Sequence, residues 1–303
     1  MIDIIELLRV NILRMKISGF TFIRNGTILG YPFIESINSI LPICDEFIIA
    51  VGPSEDNTLT LLRKIKSKKI KIIETQWNEK MADRGFVYAQ QKMIAQFNCS
   101  GDWAFYLEGD EIIHENDLLA VKKAMKENLN NFNINALVFD YYHFFGSKDW
   151  IATSPAWYRN EARIIRNNLR VWSPDALYFV NMDKNKNGRY PHAISIGVPI
   201  YHYGHIRSKA SMNDKLKRVG KYWNKKIPDF ISYEIDPKAI KPFSGKHPAI
   251  MKNWLKEKAE QTFHPDPNYQ ITRREKRHRW LMFFEKFLNK DFTRKHFKFI
   301  NYD

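Results

Sequence analysis

The run Trp103 to Leu107 is apolar and aromatic throughout and breaks at once into Glu108, Gly109, Asp110 and Glu111. A run this short and this apolar suits a strand buried on both faces. Carboxylates crowded at the end of a buried strand repel one another and lose hydration, and a divalent cation among them relieves both costs. Gly109 lets the backbone come close to a ligand. Magnesium or manganese held by one or two carboxylates, with phosphate oxygens and water completing an octahedron, suits so small a cluster. A solvated acidic turn is the alternative reading.

The acidic strand is the fourth in a regular rhythm. Ile17 to Ile23 reads as a first strand and ends in the polar turn Arg24-Asn25-Gly26, a ligand-facing loop. A helix follows from Pro32, with Phe33, Ile37, Ile40 and Leu41 at helical spacing. Glu46 to Val51 is a second buried strand and stops at Gly52 to Thr58; Leu61, Leu62 and Ile65 then mark one side of a segment from Thr58 to Lys68. Ile70 to Ile73 is a third strand, and Phe86 to Phe97 a helix. Strand and helix in alternation indicate an α/β/α sandwich with a mostly parallel sheet. Ligands of such sheets bind beyond the carboxyl ends of the strands, where Arg24, Asn25, Ser54, Asp56 and Asp110 are expected to converge. No dinucleotide fingerprint and no Walker A run is present.

Beyond the acidic strand, the pattern predicts a helix over Asn116 to Leu129, a strand over Ala136 to Tyr142, an aromatic loop from His143 to Tyr158 and a short strand over Ala162 to Arg166. Val171 to Phe179 carries Trp172, Pro174 and Asp175, and Ile194 to Tyr201 is a last strand, ending in His202-Tyr203-Gly204-His205. We divide the chain into an N-terminal extension (1–15), to which no role is assigned, a catalytic domain (16–223) and a basic, aromatic-rich helical region (224–303).

At 303 residues, with 44% hydrophobic and 14% aromatic content, the chain can bury a sizeable core and is not of disordered composition. The formal charge of +15 points to an anionic partner: nucleic acid, a membrane surface or a phosphorylated substrate. Only Cys44 and Cys99 are present, which excludes a disulfide framework and a cysteine-built zinc site. No apolar run approaches the roughly 18 residues that cross a bilayer, and there is no signal-peptide pattern. A cytoplasmic protein, peripheral at the inner face of a membrane, is expected.

Asp45 to Thr58 is similar to a strand that runs into an Asp-x-x-Ser-x-Asp-x-Thr loop, with Gly52 where the first aspartate usually stands. Gly101 to Glu111 is similar to a Gly-Asp-Trp strand leading to a metal-binding Asp-x-Asp-Glu, with Glu108 in place of the first aspartate and Asp110 retained. Tyr142 to Ser147, Trp157 to Arg166, Ser173 to Ala176 and Tyr201 to Gly204 supply further ordered motifs. Together these residues, from roughly Lys16 to Trp223, resemble the family 2 glycosyltransferases with the nucleotide-sugar-binding GT-A fold.

That resemblance implies inverting transfer of a sugar from a UDP- or GDP-sugar to a hydroxyl of a saccharide or lipid-linked acceptor, as in polysaccharide or lipopolysaccharide synthesis. It implies a manganese or magnesium ion on Asp110, with Glu108 a direct or water-mediated ligand and His202 a third. Arg84 or Lys92 adds charge to the diphosphate. Asp175, in the Ser-x-x-Asp-Ala match, is the expected general base, with Glu161 the alternative. Each has a structural reading beside it: Asp175 as a helix cap, Glu161 in a salt bridge to Arg159 or Arg163, and His202 as a hydrogen-bonded strand end. Arg207 either reaches a phosphate or is a solvated surface charge.

Between Arg273 and Lys298, ten Lys or Arg residues stand against three acids, interleaved with Trp280, Phe283, Phe284, Phe287 and Phe292. This suits an anionic membrane surface, or aromatics packed on the catalytic domain with charges in water. A nucleic-acid-binding protein is the rival from another class, although it leaves the acidic strand end unexplained. A nucleotidyltransferase and a degenerate, non-catalytic GT-A domain are the others, the last because both Gly52 and Glu108 depart from pattern.

Overall fold

A computed structural model describes residues 15–81, 83–185, 187–223, 234–258 and 263–300. The expected N-terminal extension lies almost wholly outside the described residues. The elements in order are β1 (Ile17–Ile23), α1 (Phe33–Ile40), β2 (Glu46–Val51), α2 (Thr58–Arg63), β3 (Ile70–Glu74), α3 (Phe86–Phe97), β4 (Trp103–Tyr106), β5 (Glu111–Ile113), α4 (Leu118–Glu127), β6 (Ala136–Phe145), β7 (Trp150–Ala152), β8 (Asn160–Arg166), β9 (Val171–Trp172), β10 (Val180–Met182), β11 (Gly188–Arg189), β12 (His192–His205), α5 (Lys209–Gly220), β13 (Ile240–Pro242), α6 (Lys252–Glu257), α7 (Arg273–Leu288) and β14 (Lys298–Phe299).

Eleven strands form one sheet whose main path runs β13, β7, β6, β8, β4, β1, β2, β3. β1 lies parallel to both β2 and β4, and β2 parallel to β3. β8 enters antiparallel between β4 and β6. β12 runs parallel to β6 and carries β5 antiparallel and β14 parallel on its length. A small sheet of β9, β10 and β11 stands apart.

Strand periodicity places the core on both faces. Phe47, Ile49 and Val51 of β2 point to one side, with Phe33, Ile37 and Ile40 of α1 and Val121 and Met125 of α4; Ile48 and Ala50 point to the other, with Ala95 of α3. This is the expected α/β/α sandwich.

The structure differs from the sequence pattern where strands outlast their apolar runs. β6 continues through His143 to Phe145 and forms a hairpin with β7 inside what reads as a loop, and β12 extends through His202 to His205. The end of β12 carries polar residues because His202 and His205 line a cavity, while His143 in β6 is buried behind it, bonded to His202 and the Tyr158 carbonyl. The segment after Thr58 is helical only to Arg63, and the stretch 171–179 is extended only at Val171–Trp172. The C-terminal region is not helical alone: β13 and β14 join the main sheet.

Glu46, at the start of β2, is buried but ionised. Burial alone would raise its pKa; Lys71, the hydroxyls of Ser18 and Ser100 and the Ser100 amide outweigh that and hold it at about 2. The folded pKa lies below the unfolded value, so its stabilisation is complete above about pH 4.5 and is lost as pH falls toward 2. Glu46→Gln is expected to cost about 1–3 kcal/mol at pH 7 and to flatten the stability curve over that acid window. Urea unfolding at a series of pH values measures both.

Candidate active site

The cavity lies beyond the carboxyl ends of β1 and β4, has a volume of about 710 Å³, and is lined by Arg24, Asn25, Glu55, Glu108, Asp110, Asp175, His202, His205 and Lys215 among others. Its floor is the turn after β4. There the three carboxylates part company, each with its own partner.

Glu111 is fully buried and accepts from Arg163 Nε and Nη2 (2.9 and 2.8 Å) and from Tyr141 Oη (2.8 Å). Glu108 accepts from the same guanidinium (3.0 Å). Burial and the adjacent Glu111 charge push the Glu108 carboxyl up to about 7, opposed by Arg163. Most of the crowding foreseen at this strand end is thus neutralised by one buried arginine. Arg163 also donates to the Leu177 carbonyl (2.7 Å), and Lys92, likewise buried, donates to the Ala176 carbonyl (2.8 Å). These two side chains pin the loop that carries Asp175. Asp175 accepts from the Leu177 amide (3.0 Å), Ser173 closes the loop on the Tyr178 carbonyl (2.6 Å), and Ala176 is held at φ 69°, a left-handed conformation that costs energy for a side-chain-bearing residue.

Asp110 faces different partners. Its Oδ1 lies 3.6 Å from His202 Nε2 and its Oδ2 lies 3.6 Å from Lys215 Nζ. Despite its burial, His202, Lys215 and Arg207 hold the carboxyl far below the usual range. Burial and Arg207 in turn bring the Lys215 ammonium down to about 8. A bulge in β12 between His202 and His205 lets two residues of odd spacing face one cavity. Gly204 is required between them: a Cβ there would stand 2.4 Å from Asp110 Oδ2 and 2.9 Å from His202 Nε2.

A relay fixes the orientation of His202. His143 Nε2 stands 2.7 Å from the Tyr158 carbonyl, which only accepts, so this nitrogen carries the proton. Burial and the neighbouring His202 keep His143 neutral, leaving its Nδ1 as the acceptor for His202 Nδ1–H at 2.8 Å. Asp110 raises the His202 pKa against the effect of burial, so the resting Nε2–H faces the carboxylate; a divalent ion that displaced this proton would meet the Nε2 lone pair. Two donors of one octahedral ion are about 3 Å apart at metal–ligand distances near 2.1 Å. At 3.6 Å the pair is somewhat wider than this, and Asp110 and His202 would supply two ligands to a divalent ion on a small closure. Among the described residues no group of three or more His, Cys, Asp or Glu is arranged to hold a metal. Of the expected set, the structure brings Asp110 and His202 together and gives Glu108 to Arg163.

Other expected site residues stand elsewhere. Lys92 lies beneath the cavity, over the rings of Tyr106 and Phe179 (4.0 and 3.7 Å), and does not line it. Arg84 is exposed, away from the lining. Glu161 is fully buried on His296 (2.7 Å), neither in the cavity nor on Arg159 or Arg163. Arg207 is no surface charge: it is buried and donates to the carbonyls of Gly204 and Leu29. Ser54 accepts from the Asn25 amide, and Asp56 accepts from the amides of Ile28 and Thr58, so both organise the paired loops after β1 and β2. Arg24 and Asn25 do line the cavity, Arg24 bound to Glu79 and Tyr222.

The sequence reading missed the cationic wall. Lys215, Lys217, Arg218 and Lys221, from α5 and the turn after it, line the cavity together with Tyr222 and Trp223. Recurrence of Lys215, Arg218 and Tyr222 at helical spacing was the available signal. It also missed Trp77, whose indole fills the space at Gly52: a Cβ there would stand 2.3 Å from Trp77 Nε1, which is buried with no hydrogen-bond partner. The departure at Gly52 thus makes room for an aromatic wall of Trp77, Tyr88 and Tyr222, with ring centroids 5.2–5.5 Å apart.

Among solved structures the chain is similar to the 1–349 portion of TarS from S. aureus, at 15% identity and a TM-score of 0.38, over 69% of this chain and 65% of that one. The same portion in complex with UDP-GlcNAc matches at 15% identity with a TM-score of 0.34, over 69% and 66%. The chain thus spans just under two thirds of these TarS structures. Glucosyl-3-phosphoglycerate synthase from Mycobacterium tuberculosis, in complex with Mn2+, uridine diphosphate and phosphoglyceric acid, matches at 16% identity with a TM-score of 0.38, over 74% of this chain and 84% of that one. No protein-family model and no curated protein matches the chain.

Two substitutions separate structural from ligand-directed roles. Arg163→Met strands Glu111 in the core and is expected to destabilise the fold by about 3–5 kcal/mol, read by urea unfolding. His143→Phe removes the acceptor that orients His202 and is expected to weaken Mn2+ binding roughly 10- to 100-fold by calorimetry, with His143→Gln, which restores an acceptor, recovering most of it.

Proposed function

We propose that this protein is a glycosyltransferase that moves a sugar from a nucleoside-diphosphate-sugar to a hydroxyl acceptor. The observation that carries this reading is the cavity at the carboxyl ends of the parallel strands, which sets Asp110 and His202 opposite a wall of lysines and arginines, with Asp175 on the far loop. Cations suited to a diphosphate and a carboxylate suited to a hydroxyl share one space.

The chemistry assigns roles to these residues. Lys215 and Lys221, with Arg24 and Arg218, bind and orient the diphosphate and stabilise its departing charge. Asn25 and the aromatic wall of Trp77, Tyr88 and Tyr222 receive the nucleoside. Asp175, on its pinned loop, accepts the proton of the acceptor hydroxyl as the new bond forms from the opposite side of the anomeric carbon, which gives inversion. Mn2+ or Mg2+, on Asp110 and His202, supplies further charge neutralisation at the diphosphate when bound. Lys215 holds Asp110 until the donor's phosphates offer it a second anionic partner. We further propose a saccharide or lipid-linked acceptor met at the inner face of a membrane, as in polysaccharide or lipopolysaccharide synthesis. Among the described residues no helix is long and apolar enough to cross a membrane.

A nucleic-acid-binding role accounts for the charge but gives no use to a buried Asp110–His202 pair. Calorimetric titration of UDP and GDP, first with Mn2+ and then with EDTA, tests the proposal. One nucleotide is expected to bind with Mn2+ and to weaken at least about tenfold in EDTA and in Asp110→Ala. Failure of both nucleotides to bind the folded protein would refute it.

A further inference from the structure

Helix α7 is turned inside out for a surface helix. It starts in a capping box of Thr272 and Glu275 and runs 16 residues, about 24 Å. Trp280, Phe283, Phe284 and Phe287, at helical spacing, are 66, 58, 43 and 75% exposed. Toward the body it turns half-buried Leu281 and Met282 and two ion pairs: Arg279 clasps Asp236 with two bonds of 2.7 Å, and Glu285 accepts from Arg159 at 2.6 and 2.9 Å. Of the other acids in this region, Glu275 closes the cap and Asp291 pairs with Arg159 and Lys295. The outward stripe is therefore aromatic toward its C-terminus and basic toward its N-terminus, where Arg273, Lys276 and Arg277 are exposed one to two turns before Trp280. Leu288 and Phe292 extend the aromatic part, and exposed Lys286 and Lys290 flank it.

From this arrangement we infer that the outward face of α7 docks on the surface of an anionic membrane. The rings enter the boundary between headgroups and acyl chains, while Arg273, Lys276, Arg277, Lys286 and Lys290 meet lipid phosphates. The side chains favour this occupant over single-stranded RNA. Phe283 lies against both Phe284 (5.7 Å) and Phe287 (6.4 Å, stacked), so the rings cover one another instead of standing apart to receive bases. A second copy of the chain set ring to ring in parallel register would bring the same cationic stripe against itself. A shallow depression lined by Lys276, Arg279, Trp280 and Phe283, at the junction of basic and aromatic parts, suits one phospholipid headgroup.

Docking also bears on the acceptor, a step that rests on the transferase reading. Past α7 the chain packs behind the Asp175 loop: His296 stacks on Tyr178 at 4.1 Å, and the Tyr178 carbonyl closes that loop. A membrane seated on α7 is thereby linked through a few residues to the loop expected to receive the acceptor.

Co-sedimentation of the full chain with vesicles of phosphatidylcholine containing 30% phosphatidylglycerol, against pure phosphatidylcholine, tests the docking. The protein is expected to sediment with the anionic vesicles, and far less at 0.5 M salt. Trp280→Ser with Phe283→Ser and Phe287→Ser, all on exposed side chains, is expected to lower vesicle affinity about tenfold or more. Arg273→Gln with Lys276→Gln and Arg277→Gln is expected to abolish the preference for the anionic lipid. Nucleotide affinity should be unchanged in both variants. Wild-type protein left in the supernatant would overturn the inference, as would a wild-type dimer that the aromatic variant dissolves, or binding to poly(U) tighter than to vesicles. Vesicle binding without nucleotide binding would retain the docking and reject the transferase reading; the converse would do the reverse.

Discussion

The buried guanidinium of Arg163 is the interaction on which the site depends. It has no exposed surface, yet it meets Glu108, Glu111 and the carbonyl of Leu177 from one planar group. A buried carboxylate, a half-buried one and a buried cation are unfavourable to desolvate separately, and they persist together because the fork geometry satisfies them at once. That same fork ties the turn after β4 to the loop of Asp175, which belong to segments far apart in sequence. A lysine at this position would keep the charge and lose the geometry.

With Glu108 and Glu111 taken up, Asp110 is the carboxylate left to face the cavity cations. The Tyr158 carbonyl, His143 and His202 form a chain of hydrogen bonds that sets His202 Nε2 3.6 Å from its oxygen, and Lys215 approaches from the other side. Strand β12 makes this geometry available by bulging between His202 and His205, and Gly204 keeps the space clear. The bulge is a local departure from regular pairing at the place where two side chains must be re-aimed.

The fold was legible because its strands are short apolar runs at regular spacing, and β1 and β2 have the bounds their sequence predicts. Legibility failed where a polar residue interrupts a strand's apolar signature, as His202 does where β12 reaches the cavity and His143 does in β6 just behind it. That Asp110 stands beside His202 was implied by the family resemblance, while residue type alone left His202 equally readable as a hydrogen-bonded strand end. Lys92 and Glu161 could not be placed by residue type either, because a charged residue in a buried helix or strand looks the same in sequence whether it points into a cavity or beneath one. Lys215 and Trp77 went unnoticed for the opposite reason: a lysine in a basic helix and a tryptophan in a loop carry no local mark of the surface they complete. The outward aromatic face of α7 was visible as composition, while its direction depended on Arg159 and Asp236, far away in the chain.

The most direct measurement of the central claim is a crystal structure of the protein grown with Mn2+ and whichever of UDP or GDP it binds. The account predicts an ion between Asp110 and His202, both phosphates on that ion, and the Lys215 ammonium moved from Asp110 to a phosphate oxygen. A nucleotide seated away from these residues, with Lys215 still on Asp110 and no ion beside His202, would contradict it.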